Sequence, residues 1–223
     1  MFRLLNMRSV TPEDPDLTAK ARIRDAAISR FAEDGVEKTT VRAIASEAGV
    51  SAGLVIHHFG SKDALRVECD RYIAAYLAEQ KTDAMRSGPG LDPLRALRST
   101  ADGPPVMKYL ARTLVENSPG AAEMVDTIVA DAAEYLEEGV RSGLLKPSDH
   151  PRERAAILSL YSLGMLTLHE HAQRILGVDL LGEPSGLHIY LKVAGEILVS
   201  GIGTEALEEM IASAFAQKGN EHE

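Results

Sequence analysis

The four residues Ala48-Gly49-Val50-Ser51 constrain the fold of this chain more than any other feature, because they sit between two short helical patterns. Ahead of them Val41, Ile44, Ala45 and Ala48 form the apolar stripe of a helix, and Thr40 offers its hydroxyl as the N-cap. Gly49 can take the left-handed conformation that ends that helix, and Val50 fills the angle behind it. Ser51 caps the following helix, which carries Val55 and Phe59 inward. Ala45 is small where the second helix must approach closely. Two short helices held across such a turn make a helix-turn-helix.

The flanks complete a three-helix unit. Residues 1–16 are polar, contain Pro12 and Pro15, and read as a flexible arm. From Leu17, Ile23, Ala27 and Phe31 recur at four-residue spacing until Gly35. Gly60-Ser61 breaks the chain again, and Ser61 caps a longer helix from Lys62 to about residue 84. Beyond Ser87-Gly88-Pro89-Gly90, helical patterns cover 91–101, 105–117, 120–142, 151–176, 186–200 and 204–217, punctuated by Pro and Gly. No segment alternates long enough for a convincing strand. Neither an internal repeat nor a low-complexity tract is present. The expected fold is all-α: an arm (1–16), a helix-turn-helix domain (17–64), a helical ligand-binding and dimerisation domain (65–217) and a tail (218–223).

Composition fits a packed helical protein. Of the 223 residues 45% are apolar but only 4% aromatic, with no Trp, so the core must be built largely from Ala, Leu, Ile, Val and Met. The single cysteine, Cys69, cannot form an intrachain disulfide, which suits a reducing cytoplasm. The amino-terminal residues lack the run and cleavage site of a signal peptide. The longest uncharged stretch, Ala155 to Leu168, is too short to span a bilayer and reads as a buried helix. The net charge of −9 would argue against nucleic acid were it evenly spread. Instead residues 1–62 hold nine Lys/Arg against eight Asp/Glu, and residues 63–223 hold fifteen against twenty-five. A DNA-binding head needs local basic groups, not a basic average.

Phe31, Gly35, Thr39-Thr40, Ile44-Ala45, Ala48-Gly49-Val50-Ser51, Gly53, His58-Phe59 and Ser61-Lys62-Asp63-Ala64-Leu65 together resemble the N-terminal signature of the tetracycline-repressor (TetR) family. The match runs without a gap from residue 18 to about 66. The resemblance implies a homodimeric transcriptional repressor that binds a palindromic double-stranded DNA operator and is released by a small molecule. It places Thr40, Ser51, His58 and Lys62 on phosphates, and Arg42, Ala52, Gly53, Leu54, Ile56 and His57 on base edges. Lys62 also opens a helix whose free N–H groups favour a phosphate. The family usually has Tyr where this chain has Ile56. Either Ile56 touches a thymine methyl, or His57 takes over part of the contact. Arg42 is also readable as a solvated surface arginine, and His58 as a hydrogen-bonded core histidine.

In the second part, the resemblance implies that residues 152–176 and 186–200 form an intersubunit four-helix bundle, where Gly164, Ala194, Gly195 and Gly201 would let backbones approach. Burial within one subunit is the alternative. Met107, Leu110, Leu114, Val125, Ile128, Val129, Tyr161, Met165 and His169 are candidates for a pocket that takes an apolar or amphipathic effector, and the same pattern describes ordinary core. His169-Glu170-His171 lacks the spacing of a metal site, because i and i+2 residues diverge on a helix. Cys69 reads as core rather than as a redox sensor. No nucleophile–base pair, phosphate loop, cofactor motif or metal spacing appears, so neither an enzyme nor a cofactor is expected.

Overall fold

The computed structural model describes residues 15–88, 104–116, 118–181 and 187–200. The described residues are helical, with no strand among them. The order is α1 (Pro15–Asp34), α2 (Val41–Ala48), α3 (Ala52–Phe59), α4 (Lys62–Arg86), α5 (Pro104–Glu116), α6 (Pro119–Arg141), α7 (Pro151–Thr167), α8 (His169–Leu176) and α9 (Leu187–Ser200). The patterns at 91–101 and 204–217, like Gly201, lie outside the described residues.

Helix ends follow the local chemistry. α1 begins two residues earlier than the apolar periodicity indicates, because Pro15 suits a first helical position, where its missing N–H has no partner to lose. Thr40, Ser51, Ser61 and Ser118 each accept a bond from the N–H three residues ahead, at 3.0–3.3 Å. Gly35 and Gly49 take φ of 82° and 65°, the left-handed region that an L side chain resists.

One long helix was expected over 151–176, and the chain breaks it at Leu168. The hydroxyls of Ser162 and Thr167 return to the carbonyls of Leu158 and Leu163, at 2.9 and 3.0 Å. Such bonds compete with the helix ladder and bend it, and Gly164 lowers the cost of departing from helix.

The largest hydrophobic cluster joins Ile23, Ala27, Phe31, Ile44, Val55, Leu65, Cys69 and Ile73 with Val106 and Tyr109 of α5. The head is therefore packed continuously with α4 and α5. Two smaller clusters lie in the body: Leu110, Met124 and Leu163, then Ala132, Leu136 and Ala155. α6 packs between α4 and α7, and α5 packs on α1. None of the described helices is long and apolar enough to cross a membrane.

Candidate nucleic-acid interface

The head fixes α3 by covering one side of it. Val55 is buried, and Ala52 and Phe59 pack against the main cluster, at i, i+3 and i+7. The opposite stripe, Gly53, Ile56 and His57, is exposed, with Ile56 at 44%. Leu54 and His58 are half-buried between the two sides. The His58 ring meets His57 and Phe59 edge-on, at 5.7 and 6.2 Å between centroids. Beside α3, Thr40, Arg42 and Ser51 are exposed. Of the ten residues expected to meet DNA, Thr40, Arg42, Ser51, Gly53, Ile56 and His57 thus share accessible surface, while Ala52, Leu54 and His58 reach it only in part. The Thr40 and Ser51 hydroxyls accept from backbone N–H groups, which leaves each O–H available as a donor.

Lys62 has partners within the head itself. Its ammonium group folds back over the loop between α1 and α2 and donates to the carbonyl oxygens of Val36 at 2.7 Å, Thr39 at 3.0 Å and Glu37 at 3.5 Å. An ammonium has three donors, so the phosphate contact expected of this side chain competes with a loop clamp already made. The cause is the reach of the lysine stem from the first turn of α4 to carbonyls that end no ladder.

Other ties that sequence reasoning missed set the same loop. Thr39 is buried, and its hydroxyl donates to Gly35 O at 2.7 Å, with Arg30 O at 3.2 Å. Arg30 pairs with Glu47 of α2, which fixes α2 against α1. At the other end of α1, the Lys20 ammonium lies 5.6 Å from the Phe59 ring centroid. The Thr39 bond to Gly35 O is local, four residues back, but Arg30 and Glu47 lie 17 residues apart and Lys20 and Phe59 farther still, so the fold alone reveals those two ties.

Among the body candidates, Leu110 is buried with Met124 and Leu163, and Leu114, Val125 and Ile128 pack against them. Met107, Val129, Met165 and His169 are half-buried. Tyr161 is corrected: it is 70% exposed and stands with Ile157 and Leu160 on the outer side of α7. The inward side of α7 is Ala155, Ser159 and Leu163 at four-residue spacing, and Tyr161 falls between those positions. A cleft of about 260 Å³ is lined by Leu114, Ala121, Ala122, Val125 and Asp126. A groove of about 460 Å³ lies elsewhere, between Ala133, Glu134, Glu137 and Arg141 of α6 and Pro151 and Arg152 of α7. Among the described residues no three His, Cys, Asp or Glu side chains converge as a metal site. Cys69 is fully buried, and desolvation pushes its thiol pKa well up, away from the reactive thiolate.

Comparison with known proteins follows the same division. Residues 23–69 match the family model described as bacterial regulatory proteins, tetR family, and residues 102–181 match the tetracyclin repressor-like C-terminal domain. The chain is 42% identical over 160 residues to the HTH-type transcriptional regulatory protein RaaS of Mycobacterium tuberculosis, which covers 70% of this chain and 75% of RaaS. It is 28% identical over 150 residues to the HTH-type transcriptional repressor AcnR of Corynebacterium efficiens, covering 67% of this chain and 76% of AcnR. Salmonella enterica GusR shares the fold at a TM-score of 0.54 and 22% identity, over 75% of this chain and 92% of GusR.

Proposed function

The chain belongs to the TetR family of bacterial transcriptional regulators, and from that premise we propose that it is a cytoplasmic repressor that binds a palindromic operator as a homodimer and is released by a small molecule. The observation that carries this reading is the exposed stripe of Gly53, Ile56 and His57 on a helix capped and backed by the head. A major groove admits one such helix.

In this arrangement Arg42, Gly53, Ile56 and His57 meet base edges, with Ala52 and Leu54 at the margin. Ile56 offers only apolar contact, which suits a thymine methyl, and His57 beside it supplies the polar contact. Thr40, Ser51 and His58 meet phosphates. At Lys62 the phosphate role passes from the clamped ammonium to the backbone: the first amides of a helix have no partner within it and attract anions.

Dimerisation is supported by unpartnered apolar surface. Ile157, Leu160 and Tyr161 on α7 and Ile189, Val193 and Ile197 on α9 are all exposed. A side chain added at Gly164 or Gly195 would meet nothing within 4 Å. Both helices therefore present sides that a second copy can cover. Two heads then face successive grooves with recognition helices about 34–36 Å apart.

The effector site lies between α5, α6, α7 and the start of α8, among Met107, Leu110, Leu114, Val125, Ile128, Val129, Met165 and His169. Its lining favours an apolar or amphipathic ligand, oriented by few polar groups. Binding couples to DNA release reciprocally, with about 1–3 kcal/mol typical of such linkage. The test is a salt titration of DNA binding with Arg42→Ala alongside. Specific binding that falls steeply with salt, together with relaxed preference at one base pair in the variant, supports the assignment. Weak binding insensitive to sequence refutes it.

A further inference from the structure

Helix α3 carries no permanent charge. The residues from Ala52 to Phe59 include no Lys, Arg, Asp or Glu, and the groups on it that can become charged are His57 and His58. His57 is exposed on the stripe of Gly53 and Ile56, and His58 is half-buried beside Phe59. Among the described residues the His57 ring enters no ion pair or hydrogen bond, and its ring neighbour is His58 at 5.7 Å. α3 packs on α1, α2 and α4, and most of the charges those helices bring to it are engaged. Lys20 of α1 lies 3.8 Å from Glu68 of α4 and over the Phe59 ring. Glu47 of α2 is bound to Arg30, and Arg66 of α4 to Glu116. Lys62 is clamped on the loop carbonyls. Arg42 of α2 and Asp63 in the first turn of α4 remain exposed beside α3.

Duplex DNA demands cations where it is gripped, and α3 itself has only imidazole to offer. Histidine is the side chain whose charge ordinarily changes between pH 5 and 8. A neutral ring has one donor and one acceptor, whereas a protonated ring has two donors and no acceptor. The major-groove edge of guanine shows two acceptors, N7 and O6, while adenine places a donor at N6. A donor-only ring on the base-reading stripe therefore fits guanine. We propose that His57 meets the operator as an imidazolium and reads guanine, so that each half-site takes up a proton on binding and operator affinity rises as pH falls. The inference rests on the DNA-binding role proposed above and names the chemistry of one of its contacts. Ile56, one residue back, keeps its apolar contact, and the guanine lies beside that thymine. Binding that consumes protons weakens as pH rises, and the slope of log affinity against pH approaches about one for each copy.

The test is a pH series of binding isotherms at constant salt, with operator DNA that the full chain itself selects from a random duplex pool. Wild-type affinity should fall by about tenfold or more between about pH 6 and about pH 8. Calorimetry in buffers of unlike protonation enthalpy should find protons taken up on binding. His57→Gln should melt with the wild type, since the ring is exposed, and should lose both the pH dependence and the uptake. Selection near pH 6 should favour a guanine that selection near pH 8 favours less. His57→Gln should exchange that guanine for adenine, the base that a Gln amide reads. A pH dependence that persists in His57→Gln overturns the proposal. So does equal weakening of every sequence as pH rises with base preference unchanged, which puts the proton at a phosphate. Specific binding indifferent to pH overturns the proposal too, and leaves the DNA-binding role standing. Absence of specific binding at any pH refutes that role, and this inference with it.

Discussion

Replacing Lys62 by Met removes the ammonium while keeping most of the stem, and so separates a loop clamp from a phosphate contact. Two of its bonds, 2.7 and 3.0 Å, have normal length; the third, 3.5 Å, is at the margin. A bond to a charged group contributes about 1.5–3 kcal/mol when well buried. Here the side chain is half-buried and the freed carbonyls can take water, so the net loss should be about 1–2 kcal/mol. For a chain of this size that lowers the melting midpoint by about 2–8 °C. Because the clamp holds the residues just ahead of Thr40, the variant should also bind operator more weakly at every salt concentration, with an unchanged slope of log affinity against log salt. A phosphate contact leaves another signature: stability unchanged and the slope for the dimer shallower by about 1.8, about 0.9 for each copy. Scanning calorimetry and a salt series of binding isotherms distinguish the two. A variant that melts with the wild type and loses about two units of slope refutes the clamp.

Burial raises the Asp70 carboxyl above its ordinary value of 3.8, a shift that the Tyr109 hydrogen bond and Arg66 offset only in part. The folded state therefore holds this proton longer than the unfolded one, and the wild type loses stability relative to Asp70→Asn as pH rises from about 4 through the raised folded value. Urea midpoints of both proteins across that range check the sign, and a difference that is flat or opposite contradicts it. Leu160→Glu puts a charge at the centre of the apolar side of α7, where Leu160 is 56% exposed. Sedimentation should then find monomers with unchanged helicity, and a persistent dimer excludes this side as the interface.

The head was legible because its determinants are local. Thr40, Ser51 and Ser61 cap helices that begin one residue later, and Gly35 and Gly49 end helices where a left-handed residue is required. Ile56 and His57 are exposed because Val55 and Phe59, their neighbours, point inward. The Lys62 clamp was hidden because its partners lie 23–26 residues back in the chain. The ties of α5 to the head were hidden for the same reason: Asp70 finds Tyr109 39 residues away, and Arg112 finds α1 about 80 residues back. One clue was available, since Asp70 sits one residue off the Leu65, Cys69 and Ile73 stripe, four after Arg66. In the body, a helix as uncharged as Ala155 to Leu168 gives no phase from which to choose an inner side. Tyr161 was accordingly placed inward, and the break at Leu168, which depends on hydroxyls returning to the backbone, went unread.

The claim on which function depends is that two copies present α3 to DNA with two-fold symmetry. Selecting the sequences that the purified protein retains from a random duplex pool measures this directly. The expected result is an inverted repeat whose half-site centres lie about 10–10.5 base pairs apart, or a multiple of that. Enrichment of a single unrepeated site, or of no sequence at all, would contradict it.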